Sequence, residues 1–340
     1  MGARTRKQLF LSLSLLALML ALLLLAACQA APPPLPDASA NDVTTQVQAQ
    51  DQLKIQFIGV FINEAFFDPV KKGMADAADM MGVDAEFIGD EGGDWEHQNE
   101  LIRKAVDDGV DGIAVDIIHP TAYNESIQYA MDHGVPVVAF NVDATNGAGP
   151  HLAYTQQDFV LAGEKLVAQL KDRVEPGSTI LVTKHDEGIS ALDDRAQGIK
   201  NALGEIGVTI VETTTTADPA VAKEKITAAL EEHPEIAGIF ATGQADTEGA
   251  GLVAEAQGDE SNIKVVGGFD ISDEILRLIG DGYIQATTDQ QPYVQGFYPV
   301  IQLVLNIRYG LVPDNVDAGA GMITPDNVAD VIQLSKEGYR

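Results

Sequence analysis

From Leu53 onward the chain alternates short apolar runs with stretches whose apolar residues recur at the helical period. Residues 53–61, 83–88, 112–116 and 136–140 read as strands, and 69–81, 96–108 and 123–133 as the helices between them. Asp68-Pro69 reads as a helix start, Asp as cap and Pro at the first helical position, with Gly82 and Gly134 as stops. The pattern then repeats. Strands are expected at 178–183, 208–212, 236–241, 264–269 and 284–288, with helices at 191–203, 220–232, 247–256 and 273–279. Strands separated by helices of this length imply βαβ units and parallel sheets buried on both faces. Two successive halves predict an α/β fold of two doubly wound, Rossmann-like domains, each with a parallel sheet. Ligands of such sheets sit beyond the carboxyl ends of the strands.

What precedes residue 53 has a different character. Arg4, Arg6 and Lys7 lead an apolar run that ends in Leu25-Ala26-Ala27-Cys28. A basic segment, an apolar segment and small residues make an export signal over 1–27. An uncleaved membrane anchor is the other reading, since the run is nearly long enough to cross a bilayer. Both put the rest of the chain outside the cytoplasm. Residues 28–51 are rich in Pro and polar residues without an apolar period, and predict an extended, disordered tether. The Leu-Ala-Ala-Cys stretch resembles the lipobox of bacterial lipoproteins. That resemblance implies cleavage before Cys28, lipid on its sulfur and attachment to a membrane.

Cys28 is the only cysteine, so no disulfide forms within one chain and no cysteine-based metal site exists. The formal net charge of −30 repels nucleic acid and anionic headgroups, and no nucleic-acid partner is expected. The strand ends are polar in both halves. Asn63-Glu64 stands ahead of Phe66-Phe67; Asp116, then Asn141-Val142-Asp143, follow later strands. In the second half come Lys184-His185-Asp186, Asp193 with Arg195, Gln244, Asp270 and Gln290. Buried polar groups must be satisfied, and a polyhydroxylated ligand both donates and accepts. The first loop lacks the glycines a dinucleotide requires, and its two aromatics suit the C–H face of a sugar ring.

These motifs resemble those of the type I periplasmic binding proteins, in particular the ribose-binding-like receptors of sugar ABC transporters. The resemblance covers about residues 53–340 and rests on Asn63 to Phe67, on Gly188, Ser190 and Arg195, on Gly268-Phe269-Asp270, and on Gln290. It implies two lobes, 52–155 with 291–322 and 156–290 with 323–340. They would be joined by a three-strand hinge whose crossings fall near Thr155, Gln290 and Met322. It implies a ligand site built from Asn63, Glu64, Phe66, Phe67, Asp116, Asn141, Asp143, Gln157, Asp193, Arg195, Gln244, Asp270 and Gln290. Asp143, Asp193 and Asp270 would accept from hydroxyls; Asn141, Gln244 and Gln290 would donate and accept. Arg195 would either support these groups from behind or touch an oxygen itself. The implied partners are a monosaccharide or polyol and an ABC permease, with a monomeric protein, no catalytic residue, no cofactor and no metal.

The chain departs from the ribose pattern at three places: Asn141-Val142 replaces Asp-Arg, Asp193 replaces an arginine, and Gly243-Gln244 replaces an asparagine. Another monosaccharide or a sugar alcohol fits this array better than ribose. Among other readings, a nucleoside or signalling-molecule receptor keeps the fold. A carbohydrate-active enzyme would use paired carboxylates or His185-Asp186, but no Gly-x-Ser-x-Gly, Walker or His-Glu-x-x-His motif occurs. A transcription factor of this fold needs an N-terminal helix-turn-helix, where this chain has a signal and tether.

Overall fold

The computed structural model describes residues 52–340, apart from Phe61, Glu64, Asp259 and Glu260. The expected signal, the tether and Cys28 lie outside the described residues, as does Glu64.

Two six-stranded sheets organise the chain. The first has the order β11-β5-β4-β3-β1-β2, with β1 (Lys54–Gly59), β2 (Asp84–Gly89), β3 (Gly112–Ile117), β4 (Val137–Asp143), β5 (Tyr154–Gln156) and β11 (Val316–Asp317). All its pairings are parallel. The second has the order β12-β10-β9-β8-β6-β7, with β6 (Thr179–Lys184), β7 (Thr209–Thr214), β8 (Ile236–Ala241), β9 (Val265–Phe269), β10 (Ala286–Asp289) and β12 (Gly321–Ile323). Here β12 runs antiparallel to β10, a departure from the all-parallel expectation. Strand order reverses between β1 and β3 in one sheet and between β6 and β8 in the other, which places a crevice beyond each reversal.

The helices are α1 (Phe67–Met81), α2 (Trp95–Asp107), α3 (Asn124–Asp132), α4 (Phe159–Leu170), α5 (Ser190–Ile206), α6 (Pro219–Glu232), α7 (Gln244–Gln257), α8 (Asp273–Gly280), α9 (Pro292–Tyr309) and α10 (Val328–Lys336). Three of them, α4, α9 and α10, have no counterpart in the sequence reading. The start of α1 also differs. Phe66, not Asp68, occupies the cap position, and it makes no side-chain cap bond. Packing fixes this helix start instead, because Phe67 is buried and meets Phe66 edge-on with ring centroids 5.1 Å apart. Asp68 falls in the first turn, where its charge favours the helix dipole.

The chain passes between the sheets three times. β5 belongs to the first sheet, whereas α4 packs into the core of the second with Ile180, Val182 and Phe240. β10 belongs to the second, whereas α9 packs on the first with Ile55 and Phe57. β11 and β12 divide the same way. The passages therefore lie at Gln157, at Gln290–Gln291 and at 318–320. Met322, expected at a crossing, pairs within the second sheet opposite Thr288.

Each lobe brings two helices together through glycines. A Cβ on Gly73 of α1 would lie 2.0 Å from the Tyr293 carbonyl oxygen, and one on Gly296 of α9 would lie 1.9 Å from that of Val70. In the second lobe a Cβ on Gly198 would meet the Val160 oxygen at 2.0 Å, and one on Gly163 the Arg195 oxygen at 2.4 Å. Backbone cannot yield as a flexible side chain can. Gly296→Ala is expected to cost about 1–3 kcal/mol in denaturant unfolding by overpacking. Gly204→Ala, where a Cβ meets nothing within 4 Å, serves as control and is expected to stabilise by up to about 1 kcal/mol through helix propensity. Equal effects at both positions would show that the close crossing is not the cause.

Candidate functional site

The carboxyl ends of β1 and β3 face those of β6 and β8 across a cavity of about 220 Å³. At ~30 Å³ per water this is room for about seven waters, a scale suited to one sugar ring. The first lobe lines it with Val60, Phe66, Phe67, Asp116, Ile118, Asn141 and Val142. The second contributes His185, Asp186, Gly188, Ile189, Ala191, Leu192, Arg195, Ala217, Gln244 and Asp270, and Gln290 closes the cavity from a crossing.

On the first lobe, a register shift aims the strand end inward. Val115 pairs with Ala139, but Ile117 pairs with Asp143. The irregularity bends β4 at this point, and Asn141 takes a left-handed φ of 60°, a conformation asparagine tolerates better than most residues. Asp116 is fully buried. Its carboxylate accepts from Asn141 Nδ2 at 3.0 Å and from the Val142 N–H at 3.2 Å. The two polar side chains thereby fix each other.

On the second lobe the organising group is Arg195, only 3% exposed. Its Nε donates to Gln157 Oε1 at 3.3 Å and Nη1 donates to the Thr242 carbonyl at 3.0 Å. Nη1 also lies 3.6 Å from Asp270 Oδ2. The guanidinium carbon stands 4.4 Å from the Phe269 ring centroid and 5.1 Å from that of Phe159. Burial pushes its pKa below the usual arginine value, while Asp270 and Asp246 act in the opposite direction. Asp270 takes a left-handed φ of 66° and accepts from Gln290 Nε2 at 2.7 Å. Gln295 Nε2 donates to the Gln290 carbonyl at 2.9 Å and approaches its Oε1 at 3.3 Å, which fixes the amide orientation. His185 Nδ1 lies 3.6 Å from Asp246 Oδ1, and Asp246 in turn accepts from Thr183 Oγ1, Thr242 N and Gly243 N.

Of the residues expected from sequence, Phe66, Phe67, Asp116, Asn141, Arg195, Gln244, Asp270 and Gln290 converge on this cavity. Asn63 does not line it; it lies in the turn before α1, exposed to solvent. Three others do different work. Gln157 is buried, and its amide is committed: Oε1 accepts from Arg195 and Nε2 donates to the Gly319 carbonyl at 2.9 Å. It ties one crossing to another. Asp193 faces solvent on α5 and pairs with Lys184 at 2.7 Å. Asp143 is buried away from the cavity, where it accepts from Thr145 N and Oγ1, Gly147 N and His151 Nε2. It organises the turn after β4.

His185 and Asp186 are seen in the sequence as a polar strand end, without a binding role. Val60, Ile118, Ile189, Leu192 and Ala217 carry no signal that separates them from core residues. A second cavity, of about 290 Å³, adjoins the first through Phe66, Gln244, Asp270 and Gln290, and ends against Arg340. There Arg340 pairs with the buried Asp289 at 2.6 Å.

Burial alone would raise the Asp143 pKa, but the bonds from His151, Thr145 and Gly147 outweigh it and hold the carboxyl below its usual range. A depressed folded pKa means stability that is present above the unfolded value and lost as pH falls through the folded one. Asp143→Asn is expected to lower Tm at pH 7, with the gap to wild type closing as pH falls below about 3.9. Ligand affinity should change less than about threefold, because that residue does not line the cavity. A large loss of affinity with unchanged Tm would return Asp143 to the site.

Residues 55–308 match the periplasmic binding protein domain model. The chain is 28% identical over 305 residues to the xylose/arabinose-binding protein XylF of Sulfolobus acidocaldarius, covering 86% of this chain and 76% of that protein. Among solved structures it is similar to a carbohydrate transporter protein of Acidothermus cellulolyticus in complex with myo-inositol, with a TM-score of 0.74 and 27% identity over 85% of this chain and all of that one. It is likewise similar to an ABC transporter solute-binding protein of Burkholderia graminis in complex with D-arabinose, with a TM-score of 0.73 and 25% identity, covering 81% and 96% of the two chains. With the match spanning both sheets and the cavity between them, this chain belongs to the periplasmic binding protein domain family.

Proposed function

We propose that this protein captures a monosaccharide in the cavity between its lobes and delivers it unaltered to an ABC permease. The observation that carries the reading is the convergence of Phe66, Asp116, Asn141, Asp270 and Gln290 from both lobes and a crossing on one cavity of single-ring size. Phe66 offers a ring face to sugar C–H groups. Asp116 and Asp270 supply charged acceptors, and Asn141, Gln244 and Gln290 supply amides that both donate and accept. Arg195 acts from behind, since it is buried and its Nε and Nη1 already donate to Gln157 and Thr242. Because both lobes contribute, a ligand binds the closed form better and shifts the population toward it. The closed form is what the permease would recognise. The likeness to the myo-inositol complex favours a polyol as the second ligand class.

No covalent step is assigned to the site, and its role is transport rather than catalysis. The protein would work outside the cytoplasm as a monomer, tethered through lipid on Cys28. Among the described residues no helix is long and apolar enough to cross a membrane.

Titration calorimetry against a panel of aldoses and polyols tests the site. Asp270→Asn is expected to weaken the best ligand by about 10- to 150-fold, the range for a charge-assisted hydrogen bond, and Phe66→Ala by about tenfold or more. Failure of every sugar and polyol to bind would overturn the reading. For the anchor, metabolic labelling with palmitate should mark the wild type and not Cys28→Ser, which should leave the membrane fraction. An unlabelled wild type would exclude lipidation.

A further inference from the structure

The cavity is divided in its chemistry. Two bonded pairs, Asp116 with Asn141 and Asp270 with Gln290, stand among its polar groups, with Arg195, Gln244, His185 and Asp186 also on the second lobe's side. Between the lobes lies a third surface without any side-chain donor or acceptor. Val142 of the first lobe packs in one cluster with Phe159 and Ala191 of the second, joined by Ile118 and Ile189. Ile118, Val142, Ile189 and Ala191 all line the cavity.

This surface constrains the occupant. A hydroxyl facing it would surrender its bonds to water and recover none from side chains. A bare ring edge would set fewer apolar atoms than a methyl against Ile118 and Ile189, the two members of this cluster left partly exposed. A patch of Ile and Val offers water no hydrogen bond from a side chain and favours an apolar guest. Since the wall draws on both lobes, an apolar substituent against it would also favour the closed form.

We infer that the ligand is a deoxy sugar, a 6-deoxyhexose whose methyl group packs against Ile118, Val142, Ile189 and Ala191. The inference rests on the sugar-binding reading above and narrows it to a substrate class. The polar groups then serve the ring hydroxyls, and the methyl replaces the exocyclic hydroxyl of an ordinary hexose.

The experiment uses sugars that share one ring configuration and differ only at the exocyclic carbon. L-Arabinose, D-fucose and D-galactose form one series, bearing hydrogen, methyl and hydroxymethyl in turn. D-Arabinose, L-fucose and L-galactose form a second. L-Lyxose, L-rhamnose and L-mannose form a third, and D-xylose, 6-deoxy-D-glucose and D-glucose a fourth. Each is titrated calorimetrically into the protein and into Val142→Thr and Ile189→Thr, which add a hydroxyl to the wall from either lobe. In the series that binds best, the methyl member should bind about tenfold or more tighter than both others, the scale of a buried methyl in a fitted pocket. Either threonine variant should shrink that gap. Should the hydrogen or hydroxymethyl member bind as tightly, or the gap persist in both variants, the inference falls while the sugar-binding reading stands. Absence of binding throughout all series would overturn both.

Discussion

A buried arginine is the constraint on which the second lobe, the hinge and the site all depend. Arg195 is nearly inaccessible and cannot shed its charge in a protein. Its environment must therefore satisfy it. Gln157 comes from a crossing, the Thr242 carbonyl from the end of β8, and Asp270 from the end of β9. Phe159 and Phe269 present ring faces to the guanidinium. Removing one partner of such a buried pair commonly costs about 3–5 kcal/mol, because the other is left uncompensated. The arginine thus holds two strand ends and a crossing in a single arrangement, and Asp270 owes its aim into the cavity partly to it.

The hinge is built by the same kind of logic. Gln157 donates to Gly319, and Gln291 donates to the Ala318 carbonyl. Asp317 accepts from Gly319 N and from Asp158 N. Side-chain amides and a carboxylate therefore link the three crossings where sheet pairing is interrupted. Backbone groups in such passages need partners as much as those in strands do. Bonds of this kind constrain how the crossings move without fixing the lobes as one sheet would.

The cavity combines a polar half that is common to sugar recognition with an apolar surface shared by both lobes. Val142 of the first lobe meets Phe159 and Ala191 of the second. Asp193 pairs with Lys184 on the outside and adds nothing to the interior.

Much of this was readable from the chain. The alternation of apolar runs with helical periods determined two parallel α/β halves, because strands buried on both faces must be continuously apolar. The polar residues that follow those runs marked Asp116, Asn141, Gln244, Asp270 and Gln290 as candidates for a common space, since chain direction puts the carboxyl ends of parallel strands on one side of a sheet, and Arg195 was marked early in the helix after one of them. The helices over 159–170, 292–309 and 328–336 escaped notice because each follows a crossing, where the strand–helix rhythm breaks. Only the tertiary structure decided which polar residues turn inward. Asp143 ends β4 much as Asp116 ends β3, and Asp193 stands in the first turn of the helix after β6, yet a bonded turn claims one and solvent claims the other. The apolar wall was beyond sequence altogether: Ile118 and Val142 meet Ile189 and Ala191 only where two lobes approach, and short-range periodicity holds no record of contacts made across that distance.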